Sequence, residues 1–147
     1  MDLTTLYRAV IMDHYKSPRN KGLIKQSPYH FVHLNNPSCG DDVTVQLDIK
    51  DGIIQDVRQI GTGCAICCSS ASVMSETLKG KTLEEANEII EDFYELIKGN
   101  YPEDEDRLGD AIVYVNIHNY PPHAKWATLA WRSAGAIIHG EEGESID

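Results

Sequence analysis

The chain has 147 residues, 41% of them hydrophobic and 24% charged, with a formal net charge of −10. That length suits a single domain, which at this size buries roughly 68–70% of its unfolded surface and needs no staples. The acidic balance excludes nucleic acid as a partner, because nucleic-acid binding needs clustered Lys and Arg, and no apolar run approaches the roughly 20 residues of a membrane span.

The N-terminal stretch MDLTTLYRAVIMDHYKSPRN has no basic region followed by an apolar core. This predicts a reducing, cytoplasmic setting rather than secretion. Leu3, Leu6, Tyr7, Val10 and Ile11 recur at helical spacing, Asp2 is placed to cap the helix, and Pro18 and Gly22 end it. Phe31 to Leu34 is a short candidate strand. Val43, Val45, Leu47 and Ile49 alternate with Thr44, Gln46 and Asp48, the period of a half-buried strand. Asp51-Gly52 signals a hairpin, and Ile53 to Ile60 returns as the partner strand.

The remainder reads as helix. Ala65 to Leu78 is rich in small residues and stops near Gly80. Thr82 and Glu85 form a capping box, after which Leu83, Ala86, Ile89, Ile90, Phe93, Leu96 and Ile97 share one face and Gly99 closes the helix. Leu108 to Tyr120 is read as a further helix despite its β-branched content. Pro121-Pro122 starts the last helix, which runs to about His139. The acidic run Pro102 to Arg107 and the tail EEGESID, from about residue 141, read as a solvated loop and a flexible end, or as a docking surface for a basic partner. The sum is one α+β domain: a small antiparallel sheet of about three strands, covered by helices.

The chemistry sits in four cysteines, Cys39, Cys64, Cys67 and Cys68. In a reducing setting clustered thiols point to metal or sulfur chemistry rather than disulfides. Cys39 lies in a Pro37/Gly40 turn two residues before Asp41, so a thiolate and a carboxylate can meet at one ion; both donors suit zinc or iron. Cys64 follows Gly61-Thr62-Gly63, where a strand gives way to a helix whose N-terminus favours a thiolate. Cys64 and Cys67 have ligand spacing, yet Cys67 and Cys68 also fall within the helix, so either can pack inward. Of the six histidines only His118 and His123, which flank the Pro121-Pro122 turn, are considered as ligands.

The stretches LYRAVIMDHYKSPRN, NNPSCGD, GTGCAICCSSASVMSETLKGK and AKWATLAW resemble, in order, the landmarks of the SufU branch of the NifU/IscU-like iron–sulfur scaffold family. The segment GNYPEDEDRLGDAIVYVNIHNYPPHAK resembles the longer connection of that branch, and the likeness runs from Leu3 to about Ile138. It implies a compact α+β fold with a three-stranded sheet. It further implies sulfur acceptance from a PLP-dependent cysteine desulfurase of the SufS type, delivery to apo iron–sulfur client proteins, and a zinc ion held by three cysteines and an aspartate. Residue by residue, the match gives Cys39, Asp41 and Cys64.

The third cysteine position departs from the family pattern. The family reads K-C-A-T-L-A-W where this chain reads Lys125-Trp126-Ala127-Thr128-Leu129-Ala130-Trp131. An indole offers only a donor N–H and cannot ligate. The family also usually lacks cysteines where Cys67 and Cys68 stand. The fourth donor is thus open to Cys67, Cys68, His118, His123 or water. The expected metal set is Cys39, Asp41, Cys64 and Cys67, with Cys39 and Cys64 touching any transient cluster and Cys39 accepting sulfur. Zinc or iron, or an iron–sulfur cluster, is the expected cofactor, held weakly or lost because of Trp126. Three functions follow: a sulfur-accepting scaffold, a degenerate paralogue acting as a non-catalytic interaction module, or a structural zinc protein. Trp126 separates the first two, because it removes one of the ligands that the family's chemistry uses.

Overall fold

The computed structural model describes residues 2–25, 29–36, 40–140 and 143–144. Helix α1, Leu3–Lys16, is capped by Asp2, whose carboxylate accepts the Thr5 N–H at 2.8 Å. Strands β1 (Tyr29–Asn36), β2 (Asp41–Lys50) and β3 (Ile53–Thr62) follow, then helices α2 (Ala65–Leu78) and α3 (Leu83–Ile97). A 3-10 segment, Glu105–Asn119, leads into α4, Pro121–Ile138. The capping box at Thr82 and Glu85 is present. The β2–β3 hairpin turns through Asp51 and Gly52 with φ of 55° and 73°, the left-handed pair that matches strand twist.

The three strands are antiparallel in the order β3-β2-β1, and Gly143–Glu144 adds a short edge strand, β4, parallel to β1. Alternation along β2 puts Val43, Val45 and Leu47 in the core, all fully buried. Helix α4 packs on β1 and β2 and α2 packs on β3, so the helices cover this face. Gln46, on the opposite face of β2, bonds both ways with the backbone of Ile24 at 2.7 Å, which ties down the chain after α1.

The stretch read as a helix over Leu108 to Tyr120 is a 3-10 segment rather than an α-helix, and it starts earlier. Gly109, at φ 53° and ψ −132°, interrupts it. β-Branched Ile112, Val113, Val115 and Ile117 then disfavour regular α-helix, and Val113, Val115 and Ile117 are buried instead by the tertiary packing.

Helix α2 is the hub. Ser69, Ser70, Ser72 and Ser75 are fully buried, and each reaches a different neighbour. Ser69 bonds Tyr114 in the 3-10 segment at 2.6 Å. Ser70 donates to the Ala127 carbonyl and accepts from Trp131 Nε1 at 2.9 Å, both on α4. Ser72 meets His14 of α1, and Ser75 donates to the Ser72 carbonyl while accepting from Asn20 Nδ2. Buried hydroxyls need partners, and this ladder fixes the helix against the elements around it.

Candidate metal centre

The sheet register brings Asp41 beside the start of α2. Asp41 opens β2 opposite Asn36, and its neighbour Asp42 pairs with Thr62 at the end of β3. Gly63 and Cys64 come next. The Asp41 carboxylate is 1% exposed. Its Oδ1 accepts the Cys64 N–H at 3.0 Å, and its Oδ2 lies 3.7 Å from Cys64 Sγ. Cys64 caps α2 through sulfur, accepting the Cys67 N–H at 3.4 Å.

This pair fits a tetrahedral ion. Bonds of about 2.3 Å to sulfur and about 2.0–2.2 Å to oxygen, at the tetrahedral angle, separate the two donors by about 3.5–3.7 Å. The observed 3.7 Å meets that spacing. A buried carboxylate and a thiol facing each other are also a donor set that suits zinc or iron.

Burial pushes the Cys64 thiol up, and the Asp41 charge adds to it, while the Cys67 N–H works in the opposite direction. Desolvation thus outweighs the lowering effect of the helix N-terminus on this thiol.

The expected site residues are placed as follows. Cys39 lies outside the described residues; the chain holds it two residues from Asp41. Cys67 is 1% exposed and sits in the core. Cys68 is half-buried, its sulfur 3.6 Å from the Gly61 carbonyl oxygen and 3.9 Å from that of Gly63. Cys64 and Cys68 are free thiols. His118 bonds the Val115 carbonyl at 2.7 Å and packs on Gly99. Trp126 packs on the edge of the core and stacks on His123 with ring centres 4.3 Å apart; His123 in turn stacks on Tyr120 at 5.4 Å.

A cluster that the spacing did not reveal is His14, Glu76 and Asp110, whose donor atoms lie within 4.8 Å of one another. His14 is fully buried. Ser72 Oγ accepts the Arg19 N–H at 2.8 Å and is hydrogen-bonded with His14 Nδ1, also at 2.8 Å. On its other side His14 Nε2 is hydrogen-bonded with the Asp110 carboxylate at 2.9 Å. The network is complete without an ion and joins α1, α2 and the 3-10 segment. Only the sequence-distant partners make it visible.

The family model of the NifU-like N terminal domain matches residues 6–127. The chain belongs to this family. Among relatives of this NifU-like domain, the zinc-dependent sulfurtransferase SufU of Bacillus subtilis is 39% identical over 142 residues, covering 97% of this chain and 95% of that protein. The iron–sulfur cluster assembly scaffold protein IscU of Streptococcus pyogenes is 34% identical over 136 residues, covering 92% and 84%. A crystal structure of a candidate iron–sulfur scaffold for the SUF system of Fervidobacterium islandicum superposes with a TM-score of 0.77 at 33% identity, covering 90% of this chain and 96% of that one. No helix among the described residues of the NifU-like domain is long and apolar enough to cross a membrane.

Proposed function

We propose that this NifU-like domain is an iron–sulfur cluster assembly protein that accepts sulfur from a PLP-dependent cysteine desulfurase at a centre made by Cys39, Asp41 and Cys64. The observation that carries the reading is the 3.7 Å approach of the Asp41 carboxylate to Cys64 Sγ, a spacing that suits one metal ion. The named activities of the SufU and IscU relatives support it. A bound zinc or iron ion supplies a positive centre that favours deprotonated thiols.

The protein's own residues do the rest. Asp41, held by the Cys64 N–H, presents one oxygen toward the sulfur. Cys39, two positions before Asp41 in the sequence, is the sulfur acceptor. Its thiolate attacks the terminal sulfur of the desulfurase persulfide; one S–S bond forms as another breaks, and the desulfurase cysteine leaves as a thiolate with no net oxidation. Apo iron–sulfur proteins are the recipients. A reducing, cytoplasmic setting would keep such thiols usable.

The test measures alanine release by a cysteine desulfurase with and without this chain, then cluster transfer to an apo ferredoxin. Stimulation that is lost in Cys39→Ser supports the reading. Tight binding to the desulfurase with no stimulation and no transfer would instead make the chain a non-catalytic interaction module.

A further inference from the structure

Tyr7, Ile11, Ile66, Val113 and Ile117 line a cleft of about 580 Å³ between α1, the start of α2 and the 3-10 segment. That volume lies in the range of built ligand sites. Val113 and Ile117 are buried at its floor, and Tyr7, Ile11 and Ile66 are half-buried on its walls. Leu3 stands one turn before Tyr7 on the same face of α1. With Tyr120 it is the most exposed large apolar side chain among the described residues, each 59% exposed.

The rim is polar and of one sign. Arg8, Asn116, Asn119, Tyr120 and His123 form it. No Asp or Glu lines the cleft, although the chain carries 23 of them against 13 Lys and Arg. Arg8 is exposed and makes no ion pair among the described residues. The side-chain amides of Asn116 and Asn119 are exposed and bond no other described residue. Each offers a donor and an acceptor, which match the C=O and N–H of a peptide.

The aromatic wall is set in advance. His123 is held between Tyr120, with ring centres 5.4 Å apart, and Trp126, at 4.3 Å. Trp126 packs against the core and so props the two residues that line the cleft. A wall ordered before binding loses less side-chain entropy when a partner arrives.

We propose that this cleft docks an extended segment of a partner protein in which a bulky apolar side chain is followed by a carboxylate. The apolar side chain enters between Tyr7, Ile66 and Ile117, the carboxylate pairs with the Arg8 guanidinium, and the backbone of the segment bonds Asn116 and Asn119. Apolar burial drives the contact, and Arg8 selects the acid-bearing segment. A chain of net charge −10 repels acidic partners at long range, so an acid-free patch with a cation decides where such a segment lands. The inference does not depend on the Cys64 centre.

The test titrates isotope-labelled full-length chain with blocked peptides and reads backbone amide shifts by NMR. The probe is acetyl-Leu-Phe-Asp-amide. Acetyl-Leu-Phe-Asn-amide removes its charge, and acetyl-Gly-Gly-Asp-amide removes its apolar side chains. The Asp probe should shift amides of α1, the 3-10 segment and the start of α4. The Asn probe should bind about five- to tenfold more weakly, and the Gly-Gly probe about tenfold or more. Arg8→Gln should bring the Asp probe down to the level of the Asn probe and leave the Asn probe unchanged, a coupling that a merely structural role would not produce. Circular dichroism checks that the variant is folded. Equal binding of the Asp and Asn probes, no coupling with Arg8→Gln, or shifts on another face would overturn the inference. Phenylpropionate, a ring and a carboxylate without a peptide backbone, should bind more weakly than the Asp probe; equal affinity would make the occupant a free small acid and overturn the peptide assignment. Self-association in sedimentation velocity that Tyr120→Ser removes would make a second copy the occupant, and would overturn it too.

Discussion

Gly63 and Asp41 are matched to each other: a methyl group on Gly63 would come within 2.1 Å of the Asp41 Oδ1 and 3.0 Å of its Cα. Gly63 also sits at φ 130°, which side-chain-bearing residues rarely adopt. The glycine before Cys64 therefore permits the carboxylate to approach the helix N-terminus. Gly63→Ala should cost about 1–3 kcal/mol of stability from backbone strain alone. It should also abolish Zn²⁺ binding, because Asp41 must move. Gly61→Ala is the matched control: its Cβ would meet Val43 at 3.4 Å, an ordinary contact, and its φ is unexceptional. Denaturant melts with and without Zn²⁺ check both.

The His14 network predicts a stability effect without a metal effect. His14→Leu removes one of the two partners of the buried Ser72 hydroxyl, which keeps the Arg19 N–H, and a buried hydrogen bond left unmade costs about 1–3 kcal/mol. Urea melts should show that loss, while Zn²⁺ affinity of the folded variant stays at the wild-type level. If His14→Leu instead lowered metal content with unchanged stability, the cluster with Glu76 and Asp110 would be a ligand site.

Ser70 joins two helices through one hydroxyl, donating to the Ala127 carbonyl and accepting from Trp131 Nε1. Ser70→Ala leaves the Trp131 Nε1–H buried and unpaired, again about 1–3 kcal/mol, while the Ala127 carbonyl keeps its place in the α4 ladder. Trp131 stacks on Phe93 at 4.1 Å, so its fluorescence reports the same packing. A spectral shift with lower melting temperature is expected; a variant with wild-type stability would show that water fills the gap.

Acid stability should depend on Tyr29. Burial pushes Asp56 up, but hydrogen bonds from Tyr29 and Lys79 and the Lys79 charge more than offset this, so its carboxyl ends below the ordinary 3.8. The same bond raises the Tyr29 hydroxyl to about 12. A depressed folded-state carboxyl contributes stability above its unfolded value, and the contribution disappears as pH falls through the folded value. Tyr29→Phe should therefore be less stable than wild type at neutral pH, and the difference should vanish below the folded pKa of Asp56. Urea midpoints measured across acidic pH check the sign.

The amino-acid pattern foretold most of the frame, because the signals are local. Alternation of Val43, Val45 and Leu47 gave the strand, Asp51-Gly52 the hairpin, Thr82 and Glu85 the cap, and Ala65 and Leu78 the bounds of α2. Asp41 and Cys64, which the structure brings within 3.7 Å of each other, stood out in the sequence through their glycine-containing turns. Less was visible where tertiary contacts decide. The 3-10 geometry of Glu105–Asn119 depends on Gly109 and on packing of β-branched residues. The serine ladder of α2 carries no local signal, since Ser69, Ser70 and Ser72 look like surface residues until their partners 45 to 61 positions away are known. His14 went unseen for the same reason: Ser72 and Asp110 are 58 and 96 positions away. Burial of Cys64 likewise reversed the thiol shift expected from its helix terminus alone.

The most direct measurement is intact-mass analysis of the chain after incubation with a PLP-dependent cysteine desulfurase and free cysteine, followed by peptide mapping of the added sulfur. The account predicts a one-sulfur mass increase that maps to Cys39, is lost in Cys39→Ser, and falls sharply in Asp41→Ala because the centre beside Cys64 is broken. An unmodified wild-type chain, in the presence of an active desulfurase that it binds, would contradict the account.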